Sequence, residues 1–420
     1  MFEKWFSRRR TYTAVPGFEK AVGFINYLTD RQIIDTLVQV GDSPSLPADK
    51  LKLPVTPYTK RLDPAVLSQA ITCFTPAPGG QQLAGYENIV RRSRYFIMPG
   101  TGNHSAERAA SLQQMGLTFF EGKLESEQPG NAVIIGGADV DYAPCSSLPR
   151  RIVALMHVFN EEDILGETIR FLLDQGLHVH IIDNWSTDGS WEIAGNFPED
   201  RVSRERFPEE GPTGHYEWFK QLEYSELLAE KMPFDWFIHY DADEFRYAPW
   251  KGITLQNAIS FIDRLGYNAI DFTVLDFRYT EDNDQVREGF ERQNTWFEFG
   301  KRPGHFLQAK GWKKQPVRVD LKNGGGHNVQ FPGRKLYPIK FLNKHYSLRS
   351  REQAEKKLVQ HRLPRVQKEL AERSWHSHIN TLISQQAEGW KKEDLIEWTE
   401  GRFDSDYLLE RISGVGILKP

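Results

Sequence analysis

The chain has 420 residues, of which 39% are hydrophobic and 26% charged, and its formal net charge is -4. This length exceeds what one compact core usually holds and predicts two or three domains of ordinary globular composition. The negative charge and the lack of a long basic tract argue against nucleic acid as a partner.

The cysteine count and the hydropathy pattern bear on the compartment. Cys73 and Cys145 are the two cysteines, and although they could form one disulfide, two lone cysteines are more typical of a reducing compartment. No stretch approaches the roughly 20 apolar residues that cross a bilayer, and residues 1–10 lack a secretory signal pattern. We therefore expect a cytoplasmic chain. The aromatic and arginine side chains of "MFEKWFSRRR" leave open a peripheral contact with the inner face of the membrane.

The first part of the chain predicts two regions. Residues 1–84 read as a helical start followed by a Pro-rich, irregular stretch of unknown role. Residues 85–148 read as a small α/β region, with strands in "RYFIM", "LTFFEG" and "NAVIIGG" and a helix that ends at Gly116. The loop "PGTGNHS" lacks the full GxGxxG spacing, so an ordinary strand–helix turn is favoured over a phosphate site.

The main domain is predicted over residues 150–360. "RIVALMHVF" is a continuous apolar run, typical of a parallel strand buried on both faces, and Asn160 is the expected cap of the helix that follows. The strands "HVHIID" and "DWFIHY" alternate with helical segments. This alternation predicts an α/β fold with a mostly parallel sheet covered by helices. Residues 361–420 are expected to add a C-terminal helical extension.

Acidic side chains follow two of these strands, where ligands bind in parallel sheets. Asp183 could accept a hydrogen bond from a ribose hydroxyl or a base N–H, or it could close an Asx turn. Asp241 and Asp243 are two apart in extended backbone, so their side chains should converge. Such a carboxylate pair suits Mg²⁺ or Mn²⁺. An acidic turn that caps a helix or pairs with Arg246 explains the pair equally well.

The ordered motifs resemble a known family. "HVFNEEDILGETIRFLLDQGLHVHIIDNWSTDGS" followed by "FIHYDADEF" resembles the family 2-like glycosyltransferases, in the bacterial branch written around "NE…D.StDg…DaDEF". The resemblance covers residues 150–360 and does not extend to the first 150. It implies a GT-A fold, a nucleotide-binding sandwich with a mostly parallel central sheet, here preceded by the smaller N-terminal α/β region.

The resemblance also implies roles for individual residues. Asn160 and Glu161 match the loop that faces the nucleotide, and Asp183 matches the acid that contacts the base or ribose. Asn184 follows where many members have a second acid, which puts that contact in doubt. The pair of acids at 241 and 243 matches the family's metal-binding residues.

Basic residues further along the chain complete the implied site. GT-A enzymes often add a C-terminal histidine to the metal or diphosphate, and His327 and His345 are the two candidates. Lys344 and Arg349 could balance the diphosphate charge, or they could belong to a solvated basic face.

The predicted activity is transfer of a sugar from a nucleoside-diphosphate donor to a hydroxyl of a sugar or glycan acceptor, for glycan or polysaccharide synthesis. The predicted cofactor is Mn²⁺ or Mg²⁺. Glu244 and Asp276, together with Asp271 and the acidic loop "TEDNDQVREGFE", are candidates for the base that activates the acceptor; neither retention nor inversion follows from the sequence. A metal-dependent nucleotide-sugar phosphodiesterase or nucleotidyltransferase, or a non-catalytic nucleotide-sugar-binding module, would use the same acids. "HVFNEED" lacks the Gly-rich phosphate loop that a nucleotidyltransferase of sugars should carry.

Overall fold

The computed structural model describes part of the chain, which divides into two compact units after Tyr142. The described residues are 18–30, 32–40, 51–57, 63–74, 83, 86–100, 103–123, 132–144, 148–213, 218–280, 289, 294–299, 308–358 and 390–399. Residues 1–10, for which membrane contact was considered, lie outside this set, as do Cys145 and most of the predicted extension over 361–420. None of the described helices has the length and apolar character needed to cross a membrane.

The first unit is built on a six-stranded sheet. Its strands are β1 (Thr36–Val40), β2 (Val55–Pro57), β3 (Ala70–Phe74), β4 (Tyr95–Gly100), β5 (Phe119–Lys123) and β6 (Ala132–Gly136). The strand order is β2-β1-β3-β4-β6-β5, parallel from β2 to β4 and antiparallel from β4 to β5. Its helices are α1 (Phe18–Asp30), α2 (Pro64–Leu67), α3 (Glu87–Arg92) and α4 (Asn103–Gln114).

This sheet joins the two N-terminal regions that the sequence separated. The strands predicted in residues 85–148 are confirmed, but they continue into β1, β2 and β3 from the region expected to be helical and Pro-rich. Strand β3 is buried along its whole length, so it needs neighbours on both sides. Cys73 in this strand is a buried free thiol.

The second unit contains two sheets and the predicted main domain. Its strands are β7 (Ile152–Val158), β8 (His178–Asp183), β9 (Val202–Arg206), β10 (Trp236–Asp241), β11 (Glu244–Tyr247), β12 (Ala269–Ile270), β13 (Phe272–Arg278), β14 (Trp296–Phe299), β15 (Gly311–Lys313), β16 (Phe341–Leu348) and β17 (Ile396–Glu397). Its helices are α5 (Leu165–Asp174), α6 (Ser190–Ala194), α7 (Trp218–Lys231), α8 (Leu255–Arg264) and α9 (Arg351–Glu355), with a 3-10 turn at Lys392–Asp394.

The central sheet has the order β12-β15-β10-β7-β8-β9, and the four strands from β10 to β9 are parallel. Strand β7 is buried at every position, as its continuous apolar run predicts for a strand covered on both faces. Helix α5 buries Leu165, Ile169 and Leu172, which share one helical face. The α/β class is therefore confirmed.

The other sheet of this unit carries the residues that surround the segment from Asp241 to Glu244, which we call the acidic turn. The order of its strands is β11-β16-β13-β14-β17. Strand β10 of the central sheet ends at Asp241, and β11 of this sheet begins at Glu244, so one tight turn links the two sheets. In the register of this sheet, His345 on β16 lies opposite both Glu244 on β11 and Asp276 on β13. The fold thus brings the acidic turn, the histidine and a further acid together.

Candidate active site

The acidic turn is rigidly held. Tyr240 at the end of β10 is buried, and so are the side chains of Asp243 and Glu244, whereas the Asp241 side chain keeps 34% of its surface exposed. The hydroxyl of Thr168 on α5 donates a 2.6 Å hydrogen bond to the carbonyl of residue 242. The backbone is therefore fixed where the predicted metal-binding acids stand.

Asp243 has a cation at each carboxylate oxygen. Lys357 Nζ lies 2.7 Å from its Oδ2, and His345 Nε2 lies 3.6 Å from its Oδ1. Burial by itself would raise the pKa of this carboxyl group, but Lys357 and then His345 hold the pKa well below its usual range. Asp243 is therefore a buried carboxylate that stays ionised.

His345 is oriented by a second acid. Its Nδ1 lies 2.7 Å from Oδ1 of Asp276, a residue that is buried and lies 3.6 Å from Arg278. This leaves Nε2 facing Asp243. Burial opposes the charged imidazolium, yet Asp243 and then Asp276 raise the pKa of His345 to about 9.

Asp241 is engaged by a lysine that the sequence analysis did not single out. Lys310 Nζ lies 2.9 Å from Oδ2 of Asp241 and 3.3 Å from Oε1 of Glu244. Glu244 also accepts a 2.8 Å hydrogen bond from Asn343 and pairs closely with Arg246. Asp241 and Asp243 are thus held by different cations. The predicted pairing of Arg246 does occur, but with Glu244.

Among the residues that the structure describes, no three His, Cys, Asp or Glu side chains already converge as a metal site. Asp243 and His345 come nearest, since their facing atoms are 3.6 Å apart. His327, the other predicted histidine, hydrogen-bonds through Nδ1 to the side chain of Gln308 at 3.1 Å. The structure therefore brings His345 to the acids of the turn.

The predicted nucleotide-facing loop is tied to the loop after β8. Asn160 has a left-handed backbone with φ of 55°, and its Oδ1 accepts a 2.8 Å hydrogen bond from the Thr187 amide. The amides of Asn160 and Glu161 donate to the hydroxyls of Ser186 and Ser190 at 3.0 and 2.9 Å. Asn160 does not cap the helix as predicted, because α5 begins only at Leu165. It joins two loops instead.

Arg349, the residue that follows β16, clamps the loop after β7 through ion pairs with acids of that loop. It donates two hydrogen bonds to Asp163, at 2.8 and 2.7 Å, and one to Glu161 at 2.6 Å. Lys357 Nζ contacts the other oxygen of Glu161 at 2.6 Å. Arg349 is buried, and its Nη1 donates a further 3.0 Å hydrogen bond to the Tyr346 carbonyl. Lys344, the other predicted diphosphate residue, lies over the rings of Trp398 and Tyr247, at 4.6 and 5.0 Å.

Asp183 lies at the end of β8, beside the end of β7. Its Oδ2 accepts a 3.1 Å hydrogen bond from the Ser186 amide and is 3.6 Å from Arg206. Its Oδ1 is buried and has no hydrogen-bond partner in the described structure. Burial raises the pKa of this carboxyl group. Asn184 beside it donates to the Phe207 carbonyl at 3.3 Å.

Lys310 and Lys357 are the site residues that sequence reasoning missed. Both lie in segments that carry several lysines, "QAKGWKK" and "QAEKK", and nothing in the spacing marks one lysine as the buried one. Their burial depends on contacts that are 69 and 114 residues apart along the chain.

Comparison with known proteins supports the enzyme class. The model of the glycosyl transferase family 2 matches residues 154–216, a stretch that includes β7, α5 and β8 and the residues Asn160, Glu161 and Asp183. These residues carry a glycosyltransferase family 2 domain. This is the class predicted from the sequence. The match ends before the acidic turn. No curated protein matches the chain.

Three solved glycosyltransferase structures show weak similarity. A mannosyltransferase from Pyrobaculum calidifontis in complex with GDP-Man and Mn²⁺ is 20% identical, with a TM-score of 0.24, over 31% of this chain and 37% of its own length. TarS of S. aureus with UDP is 13% identical, with a TM-score of 0.28, over 56% and 70%. Mannosyl-3-phosphoglycerate synthase from Rubrobacter xylanophilus is 12% identical, with a TM-score of 0.25, over 39% and 53%. Scores this low establish neither a shared fold nor a shared activity.

Proposed function

We propose that the chain transfers a sugar from a nucleoside-diphosphate donor to a hydroxyl of a sugar or glycan acceptor, with Mn²⁺ or Mg²⁺ held at the acidic turn. The observation that carries this proposal is the approach of His345 Nε2 to Asp243 Oδ1, at 3.6 Å, with Asp276 fixed behind the ring. In this arrangement a buried carboxylate oxygen and an imidazole nitrogen face the same point.

The residues present fit a divalent ion. Mg²⁺ and related ions commonly take one or two carboxylates and complete their shell with water and substrate phosphates, and imidazole is an accepted ligand of transition metals. A carboxylate behind a histidine is the usual way to fix a metal-binding imidazole. Asp243 and His345 would hold the ion once binding has displaced the Nε2 proton of the imidazolium. The partly exposed Asp241 would be a third ligand. A bound cation would stabilise the negative charge that grows on the leaving diphosphate.

Asp183 supports the nucleoside side of the proposal. A buried acceptor without a donor costs free energy, so a ligand that supplies an N–H or O–H would gain by binding there. Asp183 Oδ1 is such an acceptor, and it lies at the carboxyl end of a parallel strand, where ligands of α/β sheets bind. We assign it to a base N–H or a ribose hydroxyl. The loop held by Asn160 would form the adjoining wall.

Glu244 and Asp276 act as positioning residues on this proposal. Glu244 accepts from Arg246, Lys310 and Asn343, and Asp276 is committed to His345. A general base must reach the acceptor hydroxyl with a free oxygen, which these buried groups do not offer. Glu244 holds Lys310 in place, and Asp276 holds the imidazole of His345 in place.

The finer features expected from the sequence belong to this proposal too. Residues 150–360 would adopt the GT-A arrangement, with the central sheet binding the nucleotide and the acidic turn beneath the diphosphate. The acceptor would be a growing glycan or polysaccharide.

Product analysis tests the activity. The full chain is incubated with Mn²⁺ and a panel of nucleotide sugars that includes GDP-mannose and several UDP-sugars. We expect release of the nucleoside diphosphate from at least one donor, and no release when the metal is chelated. Release of a nucleoside monophosphate and a sugar phosphate would identify a phosphodiesterase instead. Binding of a donor without any product would identify a non-catalytic module.

A further inference from the structure

Lys357 contacts two acids of the candidate site. Its Nζ lies 2.7 Å from Oδ2 of Asp243 and 2.6 Å from Oε1 of Glu161, and its side chain is only 11% exposed. It lies two residues beyond the end of helix α9, which Ser350 caps just after β16. One ammonium group therefore bridges the acidic turn and the loop after β7.

Each acid that Lys357 touches already has another cationic partner. Asp243 faces His345 through its other oxygen, and Glu161 accepts from Arg349 at 2.6 Å through its other oxygen. Lys357 is therefore the second cation on both carboxylates. Without it, neither acid would be left wholly unpaired.

We propose that Lys357 is a displaceable internal cation that makes the binding of the metal and of the donor diphosphate mutually dependent. A divalent ion that binds Asp243 repels an ammonium group held 2.7 Å from the same carboxylate, and a buried site screens this repulsion poorly. The lysine must then leave Asp243. Its flexible four-carbon stem permits this movement, and the anionic diphosphate supplies new oxygens for the ammonium.

The inference rests on the proposed function and adds an order of events to it. When the metal binds alone, it must displace Lys357 from Asp243, and the ammonium group finds no new anionic partner. The metal therefore binds weakly to the free protein. When a nucleoside diphosphate is present, the evicted ammonium gains a new partner and both ligands bind more tightly. Reciprocal coupling of this kind is required whenever one ligand changes the affinity for another. Direct contact between the metal and the diphosphate also couples their binding, so the part due to Lys357 is the part that is lost when Lys357 is replaced by an uncharged side chain.

The test measures Mn²⁺ binding by electron paramagnetic resonance, with and without UDP, GDP or inorganic pyrophosphate. Lys357→Met removes the cation, Lys357→Arg keeps it, and Lys356→Met is the matched control because Lys356 is exposed. We expect Lys357→Met to bind Mn²⁺ alone roughly tenfold or more tightly than the wild type, as loss of a close like charge implies. Diphosphate should then improve its Mn²⁺ affinity less than it does for the wild type. Lys357→Arg and Lys356→Met should retain the coupling.

Two results would overturn the inference. One is a folded Lys357→Met variant whose Mn²⁺ affinity, measured alone, equals that of the wild type. The other is wild-type binding of diphosphate that is equally tight in excess chelator, which would mean that Lys357 replaces the metal. Circular dichroism and thermal melting establish that each variant is folded, and if Lys357→Met does not fold, the Lys357→Gln variant is used in its place. If no nucleoside diphosphate binds any variant, the proposed function fails, yet the comparison in Mn²⁺ alone still decides the role of Lys357.

Discussion

Asp276 and His345 are paired in register on the neighbouring strands β13 and β16, and a 2.7 Å contact joins Oδ1 of the acid to Nδ1 of the ring. The contact directs Nε2 toward Asp243. Because the acid is buried, the imidazole cannot turn without giving up this hydrogen bond.

This relationship predicts the effect of removing the orienting acid. Asp276→Ala should weaken Mn²⁺ binding, measured by electron paramagnetic resonance with UDP or GDP present, by roughly 10- to 100-fold, the usual cost of losing such a partner. Asp276→Asn keeps an acceptor for Nδ1 and should lie between Ala and the wild type. An unchanged affinity in a folded Asp276→Ala variant would show that the acid does not orient a metal ligand.

Replacing Asp183 should stabilise the folded protein but weaken the binding of the nucleotide. Its pKa is raised by burial, so the folded state disfavours the carboxylate, and this acid favours folding less as the pH rises through its folded-state pKa. Asp183→Asn should therefore raise the melting temperature at pH 7 by a few degrees, and the gain should shrink toward acidic pH. Nucleoside-diphosphate binding by calorimetry should weaken. A variant that binds nucleotide as tightly as the wild type would refute the assigned contact.

Removing the Arg349 clamp should lower the free energy of unfolding. Breaking a buried ion pair by removing one partner costs roughly 3–5 kcal/mol, and Arg349 serves both Asp163 and Glu161. We expect Arg349→Met to lower the free energy of unfolding in urea by about that amount, and Arg349→Lys to lower it less. Lys356→Met is the exposed control. If Arg349→Met unfolds at the wild-type urea concentration, the clamp does not stabilise the protein.

The environment of His157 predicts that the free energy of unfolding falls in acid. It lies in β7 with Nδ1 3.2 Å from Gln221 Oε1 and Nε2 2.8 Å from Ser225 Oγ, and burial lowers its pKa to about 4. The neutral ring is favoured in the folded state, so its contribution is complete above the unfolded pKa of 6.5 and is lost as the pH falls toward 4.

The His157→Gln variant isolates this effect. Between pH 7 and pH 4 the wild type should lose roughly 3 kcal/mol more of its unfolding free energy than His157→Gln, since each pKa unit is worth about 1.4 kcal/mol. The measurement is urea unfolding at a series of pH values. Parallel pH profiles for the two proteins would contradict the prediction.

The parts of the fold that follow from local pattern were predictable. The strand expected in "HVHIID" is β8, and Trp236–Asp241 forms the strand expected in "DWFIHY", because continuous apolar runs between helices are typical of a buried parallel strand. The helix end predicted at Gly116, where φ is 67°, is also confirmed, since α4 ends at Gln114. The second sheet of this unit was not predicted, since its strands are short and pair over long sequence separations.

The candidate site also has features that the local sequence predicted and features that it could not predict. Spacing predicted extended backbone from Asp241 to Asp243, but β10 ends at Asp241 and residues 242 and 243 form a turn. It could not predict that Lys310 and Lys357 would neutralise them separately, because burial of a lysine depends on which distant segment covers it. Nor could it show that Asp276 lies behind His345, since 69 residues separate the two in sequence. That pairing is a property of the β13–β16 register.

The most direct test of the account is Mn²⁺ binding by the wild type, Asp243→Asn and the control Asp174→Asn, in the presence of UDP or GDP. Asp174 is an exposed acid at the end of α5. The wild type and Asp174→Asn should each bind one Mn²⁺ whose resonance signal depends on the nucleotide, and Asp243→Asn should lose that signal while remaining folded. Nucleotide-dependent Mn²⁺ binding that survives in Asp243→Asn would contradict the claim that this carboxylate holds the metal beneath the diphosphate.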